Sequence, residues 1–244
     1  MLLTFAVLPL AASTLLLAAP RQPRSVQHVD VYKVAGRYGG WPANHGIWRW
    51  NNEILVGFEA GYFKDNKGGH SIDYTRPAEH LLARTTDGGR TWTRLGYVHD
   101  EPADNDYGIM PSTVRLSPTS LITSVRFRRW IEAYRSDDNG TTWQHLARAV
   151  PDTGRGNPPS LVKLADGRLV ITYGYRAEPY GIRARVSKDE GRTWDDEIEL
   201  RNDGGTWDLG YTRTVQRPDG KLVTVYYYNV GDAERFIGAT IWEP

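Results

Sequence analysis

The chain has no cysteine. Disulfide cross-links and thiolate metal sites are therefore excluded, and its 244 residues must be held by packing and hydrogen bonding. It also lacks an excess of either charge: 30 Lys and Arg face 29 Asp and Glu, a formal net charge of +1. A nucleic-acid binder usually carries a basic surplus or stripe, so nucleic acid is not an expected partner. What the chain does have is 9 Trp, 14 Tyr, 5 Phe and 25 Gly, the composition of a turn-rich β protein in which aromatic residues recur from sheet to sheet.

Charged side chains are missing from residues 1–19, MLLTFAVLPLAASTLLLAA, after which come Pro20, Arg21, Pro23 and Arg24. The expectation for 1–25 is a signal peptide with a small-residue exit at Ala18 and Ala19, although the usual basic start is absent. An uncleaved membrane anchor is the competing reading, since about 18 apolar residues just span a bilayer. Pro9 and the Ala/Ser cluster weaken a spanning helix. Both readings send the folded part, 26–244, out of the cytoplasm, as a secreted, periplasmic or tethered domain.

One octapeptide occurs three times: Thr85 to Trp92, Ser136 to Trp143 and Ser187 to Trp194 all read S/T-x-D-x-G-x-T-W. Asp87, Asp138 and Asp189 fall at a constant interval of 51 residues, and self-similarity at such a period marks a propeller, solenoid or array. Within the motif, Asp bonds local amides, Gly takes a left-handed position, and the Trp that follows wedges between sheets, so the role expected is structural. Calcium binding at Asp137, Asp138 and Asn139 would need more oxygen ligands than the turn supplies.

Short β-type runs lie between the motifs. Around the second motif they are Ser112 to Leu116, Ser120 to Arg126, Trp130 to Arg135 and Trp143 to Arg148. Around the third they are Ser160 to Leu164, Arg168 to Tyr175, Gly181 to Ser187 and Glu197 to Leu200. The first unit comprises Gly46 to Trp50, Glu53 to Phe58 and His80 to Thr85, with an insertion from Glu59 to Glu79. The last has three runs: Thr212 to Arg217, Lys221 to Tyr228 and Arg235 to Trp242. The fold expected is an all-β propeller of four-stranded blades, four of them visible. The free strand His28 to Ala35 would join the last blade and close the ring, because closure removes an open edge.

If the motifs mark one face, the entries to the innermost strands and the second-to-third loops mark the other. Candidate functional residues converge there: Trp41, Asn44 and His45 in the first unit; Arg126 in the second; Asn157, Arg176 and Tyr180 in the third; Tyr211 and Arg213 in the last. Asp73 lies in the first-unit loop, and Arg37 precedes Trp41.

The motif is the Asp box, and its arrangement from Val29 to Trp242 resembles that of sialidases and related bacterial Asp-box proteins. The resemblance implies a propeller, usually of six blades, with the boxes remote from the active site. It also implies hydrolysis of terminal sialic acids by three arginines on the carboxylate, a Tyr nucleophile with a Glu partner, and an Asp acid/base; no cofactor and no metal are implied. On this resemblance Tyr211 corresponds to the nucleophile, Arg176 to a carboxylate ligand and Asp73 to the acid/base, with His45 a second titrating candidate. Arg37, Arg126, Arg213, Trp41, Asn44, Asn157 and Tyr180 complete the expected substrate-binding set.

The chain departs from the pattern in three places. Asn157 stands before Pro158 where sialidases tend to carry Glu, and Gly40-Trp41-Pro42 replaces an Arg-Ile-Pro pattern. Six units of this period would also be longer than the whole chain, and the join at Asp100 to Asp106 is where two blades are expected to be absent relative to the family. Three functions stay open: a glycosidase acting on an acidic terminal sugar, a lyase or hydrolase of uronic-acid polysaccharide, and a non-catalytic glycan-binding propeller. Association with another chain is an alternative way to complete the ring.

Overall fold

Runs rich in β-branched and aromatic residues, punctuated by Asp-Gly turns, dictate the strands. The computed structural model describes residues 25–42, 46–95, 98, 108–231 and 234–244, and sixteen strands among them form four antiparallel sheets. The first sheet holds β1 (Arg37–Gly40), β2 (Ile47–Trp50), β3 (Glu53–Tyr62), β4 (Glu79–Thr85) and β5 (Thr93–Arg94). The second runs in order β6 (Ile109–Arg115), β7 (Leu121–Arg126), β8 (Ile131–Ser136) and β9 (Gln144–Val150). The third is β10 (Ser160–Lys163), β11 (Leu169–Tyr175), β12 (Gly181–Ser187) and β13 (Ile198–Arg201). The fourth has three strands, β14 (Gly210–Gln216), β15 (Leu222–Tyr228) and β16 (Phe236–Trp242).

Consecutive sheets pack face to face. Leu55 and Leu82 of the first meet Leu121, Val125 and Tyr134 of the second. Ile122, Ile131 and Ala133 of the second meet Leu161, Leu169 and Ile171 of the third. Val170 and Val186 then meet Leu222 of the fourth. β11, buried on both faces, reads LVITYGY without alternation, as a central strand should.

The three boxes form the β4–β5, β8–β9 and β12–β13 hairpins with one repeated hydrogen-bond knot. In the third, Ser187 Oγ donates to Asp189 Oδ1 (2.9 Å) and accepts from Gly191 N (2.8 Å). Thr193 donates its N to Oδ1 (2.9 Å) and its Oγ1 to Oδ2 (2.6 Å), and Trp194 Nε1 donates to Gly191 O (3.1 Å). Asp87 and Asp138 make the same bonds to Thr85 and Thr91, and to Ser136 and Thr142. The wedge role expected of the Trp is seen in two boxes: Trp143 packs against the cluster between sheets one and two, and Trp194 against that between sheets two and three, whereas Trp92 packs on the outer face of the first sheet. Gly191 (φ +86) could not carry a Cβ, because Ile122 of the preceding sheet occupies its place.

Two expectations need correction. His28 to Ala35 contains no strand; it lies over the outer face of the first sheet, where Tyr32 packs on the Phe58 cluster with ring centroids 5.0 Å apart. Strand β1 instead pairs with the distal half of β3, so part of the presumed insertion is sheet, and the 28–35 segment does not close a ring with the fourth sheet. The signal or anchor expected for 1–25 falls outside the described residues apart from Ser25, as does the join at 100–106.

The knot holds its carboxylates ionised. Hydrogen bonds from Thr85 and Thr91 drive the Asp87 carboxyl far below its usual range. At Asp189 burial pushes upward, but the bonds from Thr193 and Ser187 outweigh it and the pKa is lowered. A lowered folded pKa stabilises fully above the unfolded value of about 4, and that stabilisation is lost as pH falls further. The unfolding midpoint should therefore drop as pH is taken from about 5 to about 2. In urea titrations at neutral pH, Asp189→Ala should lose about 1–3 kcal/mol; an unchanged midpoint would refute the knot's role.

Candidate active site

The boxes occupy the Glu53 and Thr85 end of the first sheet and the equivalent end of the next two, so the opposite end collects the entries to β2, β6, β10 and β14 and the exits of β3, β7, β11 and β15. Counted from Ile54, Leu121, Leu169 and Leu222, which pair with Thr85, Ser136, Ser187 and Trp242, one rung there carries Glu59, Arg126, Gly174 and Tyr227.

Tyr211 enters β14 in the left-handed region (φ +51), at a register irregularity between Gly210 and Arg213. Met110 (φ +55) does the same at the entry to β6. Such bulges re-aim side chains beside functional sites, and the conformation persists only where neighbours enforce it. At Tyr211 the enforcer is Asn157, fully buried. Its Oδ1 accepts from Tyr211 N (3.1 Å) and Gly174 N (3.0 Å), and its Nδ2 donates to Leu209 O (3.1 Å). Gly210 (φ +109) has no room for a Cβ against that amide. Asn157 was expected to touch substrate; its polar groups are instead committed to the backbone of sheets three and four, and an amide cannot act as a base.

Arg176 follows β11 and is buried. It donates through Nε to Leu209 O (3.0 Å), through Nη1 to Gly156 O (3.3 Å) and through Nη2 to Tyr227 Oη (2.8 Å). Tyr227 Oη in turn donates to Asp208 Oδ1 (2.9 Å), whose Oδ2 accepts from Arg235 Nε (3.0 Å). Burial, and then Arg126, lower the Arg176 pKa; burial raises that of Tyr227 to about 12. The Arg176 guanidinium lies 5.5 Å from both the Trp207 and Tyr211 ring centroids, and Arg155 lies 5.2 Å from that of Trp207. Arg126 reaches Met110 Sδ (3.5 Å), while its Nε is buried without a partner. Gly156 separates the two cations, since a Cβ there would meet Arg126 Nε. Arg126, Arg176 and Tyr211 thus meet at one end, around an aromatic wall. Two adjacent guanidiniums offer forked donors to a carboxylate, and Trp207 offers a face for a sugar ring.

Other expected residues lie elsewhere or are engaged. Arg37 is ion-paired with Glu79 and sits 4.3 Å from the Tyr62 ring centroid. Trp41 packs with Tyr38 (5.1 Å) and His70 (5.2 Å). Asp73 Oδ1 accepts from Thr75 Oγ1 (2.6 Å) and N (3.0 Å), bonds that lower its pKa and close a local turn. Tyr180 lines an open cleft of about 500 Å³ with Glu178 and Asn202, and Arg213 is exposed, donating to Thr212 O (3.0 Å). Asn44 and His45 lie outside the described residues. Sequence reasoning missed Trp207, Asp208, Tyr227 and Glu59. The signal available for Tyr227 was its rung, shared with Arg126; for Glu59 it was a carboxylate inside an apolar strand, whose pKa burial raises.

Comparison with known proteins adds the following. Residues 67–224, well over half of the chain, match the family model described as a BNR repeat-like domain. A sialidase from Clostridium perfringens is 27% identical over 168 residues, 57% of this chain and 44% of its own length. A Dyadobacter fermentans protein of unknown function superposes with a TM-score of 0.63 at 28% identity, over 82% of this chain and 52% of that one. The NanB sialidase from Streptococcus pneumoniae superposes with a TM-score of 0.54 at 16% identity, over 78% of this chain and 29% of that one, a likeness of fold: the sheets are propeller blades. The chain therefore spans about half the length, or less, of these relatives.

Two backbone N–H groups, of Gly174 and Tyr211, depend on the Asn157 amide, while Leu209 O keeps its bond from Arg176. Asn157→Ala should cost about 2 kcal/mol or more in chemical denaturation, because each buried group left unpaired costs about 1–3 kcal/mol. A loss below about 1 kcal/mol would show that the amide is not the tie between these sheets.

Proposed function

The chain belongs to the BNR repeat-like domain family, and on that premise we propose that it is a sialidase-like glycoside hydrolase acting on a terminal sugar that bears a carboxylate, sialic acid being the type. The observation carrying this reading is the pair Arg126 and Arg176 on either side of Gly156, beside Tyr211 and Trp207. The arginines hold the sugar carboxylate and the Trp207 face receives the ring. Tyr211 Oη bonds to the anomeric carbon as the glycosidic C–O bond breaks toward the leaving oxygen. Its phenolic proton leaves to solvent, to which the residue is 44% exposed. A neutral nucleophile suits an anomeric centre that carries a carboxylate. Glu59, its carboxyl pKa raised by burial, has the character of a donor for the leaving oxygen; His45 is the alternative donor. Asp73 is held in its turn with a lowered pKa, which suits an acid catalyst poorly. Water then attacks the same carbon, giving a proton to the Glu59 carboxylate, as the bond from Tyr211 Oη to that carbon breaks and the phenolate regains its proton from solvent. Export, suggested by the uncharged apolar start of the chain, fits a substrate displayed outside the cytoplasm.

A second reading is favoured by one observation. Asn157 stands where a carboxylate partner for Tyr211 was expected, and its amide is fully engaged. On that reading the domain binds acidic glycans without cleaving them.

Chromogenic sialyl, uronosyl and rhamnosyl substrates separate the readings. Hydrolysis of the sialoside is expected, with Tyr211→Phe lowering kcat on the order of 10³-fold or more and Arg126→Ala raising KM about 10–100-fold. Equal turnover of the neutral rhamnoside, or unchanged kinetics in both variants, would sink the acidic-sugar reading. Glycan binding without turnover of any substrate would select the second.

A further inference from the structure

The loop between β13 and β14 meets Arg176 twice. Leu209 O accepts directly from Nε (3.0 Å). Asp208, one residue earlier, reaches the same guanidinium through the Tyr227 hydroxyl, which accepts from Nη2 (2.8 Å) and donates to Asp208 Oδ1 (2.9 Å). The loop is itself fixed by Asn229, which follows β15 and is fully buried: its Oδ1 accepts from Thr206 N (2.8 Å), and its Nδ2 donates to Asp208 O (2.8 Å). Arg235 adds a clamp from outside, donating to Asp208 Oδ2 (3.0 Å) and to Thr206 Oγ1 (3.2 Å). Two consecutive loop residues thus set the angle of one guanidinium.

A direct pair would be the ordinary arrangement for these charges, because a carboxylate takes two parallel N–H donors from an arginine fork. Such a pair would consume the donors that an incoming carboxylate needs. The interposed phenol prevents it: one oxygen takes one N–H of Nη2, Gly156 O takes one of Nη1, and each nitrogen keeps its second. Asp208 still lies near enough to offset the cost of burying the cation. We propose that Tyr227 and Asp208 are positioning residues for carboxylate recognition, holding Arg176 at one remove so that its free N–H groups face the ligand. Neither residue needs to touch the sugar. This deepens the reading of Arg126 and Arg176 as a carboxylate site and rests on it, but it does not require turnover.

The test is binding of N-acetylneuraminic acid and of its methyl ester to the full chain, followed by NMR titration; the two ligands differ only at the carboxylate. The wild type should prefer the acid by about 10-fold or more. Tyr227→Phe should weaken the acid about 10-fold and leave the ester unchanged, so that the preference is lost. Asp208→Ala, in a partly exposed loop where folding is not at stake, should reduce the preference in the same direction. Tyr226→Phe removes the neighbouring hydroxyl from its bond to Thr240 (2.7 Å) and should keep it. Where the sialoside is turned over, Tyr227→Phe should raise KM with kcat unchanged. A preference retained in both Tyr227→Phe and Asp208→Ala, or lost equally in Tyr226→Phe, would overturn the proposal alone. A wild type indifferent to the carboxylate would overturn the underlying reading and the proposal with it.

Discussion

Each Asp-box carboxylate collects a backbone N–H and two hydroxyl donors within one hairpin, and in the second and third boxes the glycine, Gly140 or Gly191, lies against the sheet before it. Two constraints are met at once: the turn between the last two strands is closed locally, and the indole that follows is fixed, as a spacer between sheets in the case of Trp143 and Trp194. Charged links reinforce the same junctions. Arg84 reaches Asn139 O (2.9 Å), and Arg135 reaches Glu190 Oε2 (2.7 Å), each from the strand before one box to the turn of the next. With one end of each of the first three sheets held in this way, the other end is free to carry irregular backbone and uncompensated polar groups.

That freedom is visible in the site. A buried arginine is tolerable only when most of its donors are matched, and Arg176 spends three of its five on two carbonyls and a phenol oxygen, keeping one N–H on each terminal nitrogen for a ligand. Arg126 is less completely matched, and its unpartnered Nε is the sort of local deficit a bound anion relieves. The tie through Asn157 makes Tyr211 a property of the junction between two sheets rather than of its own loop. Rigid positioning of this kind favours a reacting group over one that only lines a groove.

The strand pattern was legible because turn chemistry and repeat spacing agreed: β12 spans Gly181–Ser187 as expected, and β7, β8, β11 and β15 differ from their expected spans by a residue or so at an end. His28 to Ala35 misled because its apolar residues serve equally to cover a face, which is what Tyr32 does. The extension of β3 to Tyr62 was obscured by Gly61 and by a loop rich in charge. At the site, Arg176 and Tyr211 were legible from their places beside strands, and the structure brings them together. Tyr227 and Asp208 were not, since a Tyr within an apolar strand reads as core and an Asp in a loop as solvated. The role of Asn157 is long-range, set by partners such as Leu209 and Tyr211, and no local pattern announces such a bond.

The direction in which the boxes lock has a bearing on biosynthesis. Trp143, Gly191 and Trp194 each fit against the sheet made earlier in the chain, and Arg84 and Arg135 reach forward to the turns that come after them. Every new unit emerging from the ribosome thus finds its docking surface already synthesised, and none must wait for one still to come. These contacts permit the array to assemble from the N-terminal sheet outward as it is made, so that a stalled chain would expose one sheet face at a time instead of several.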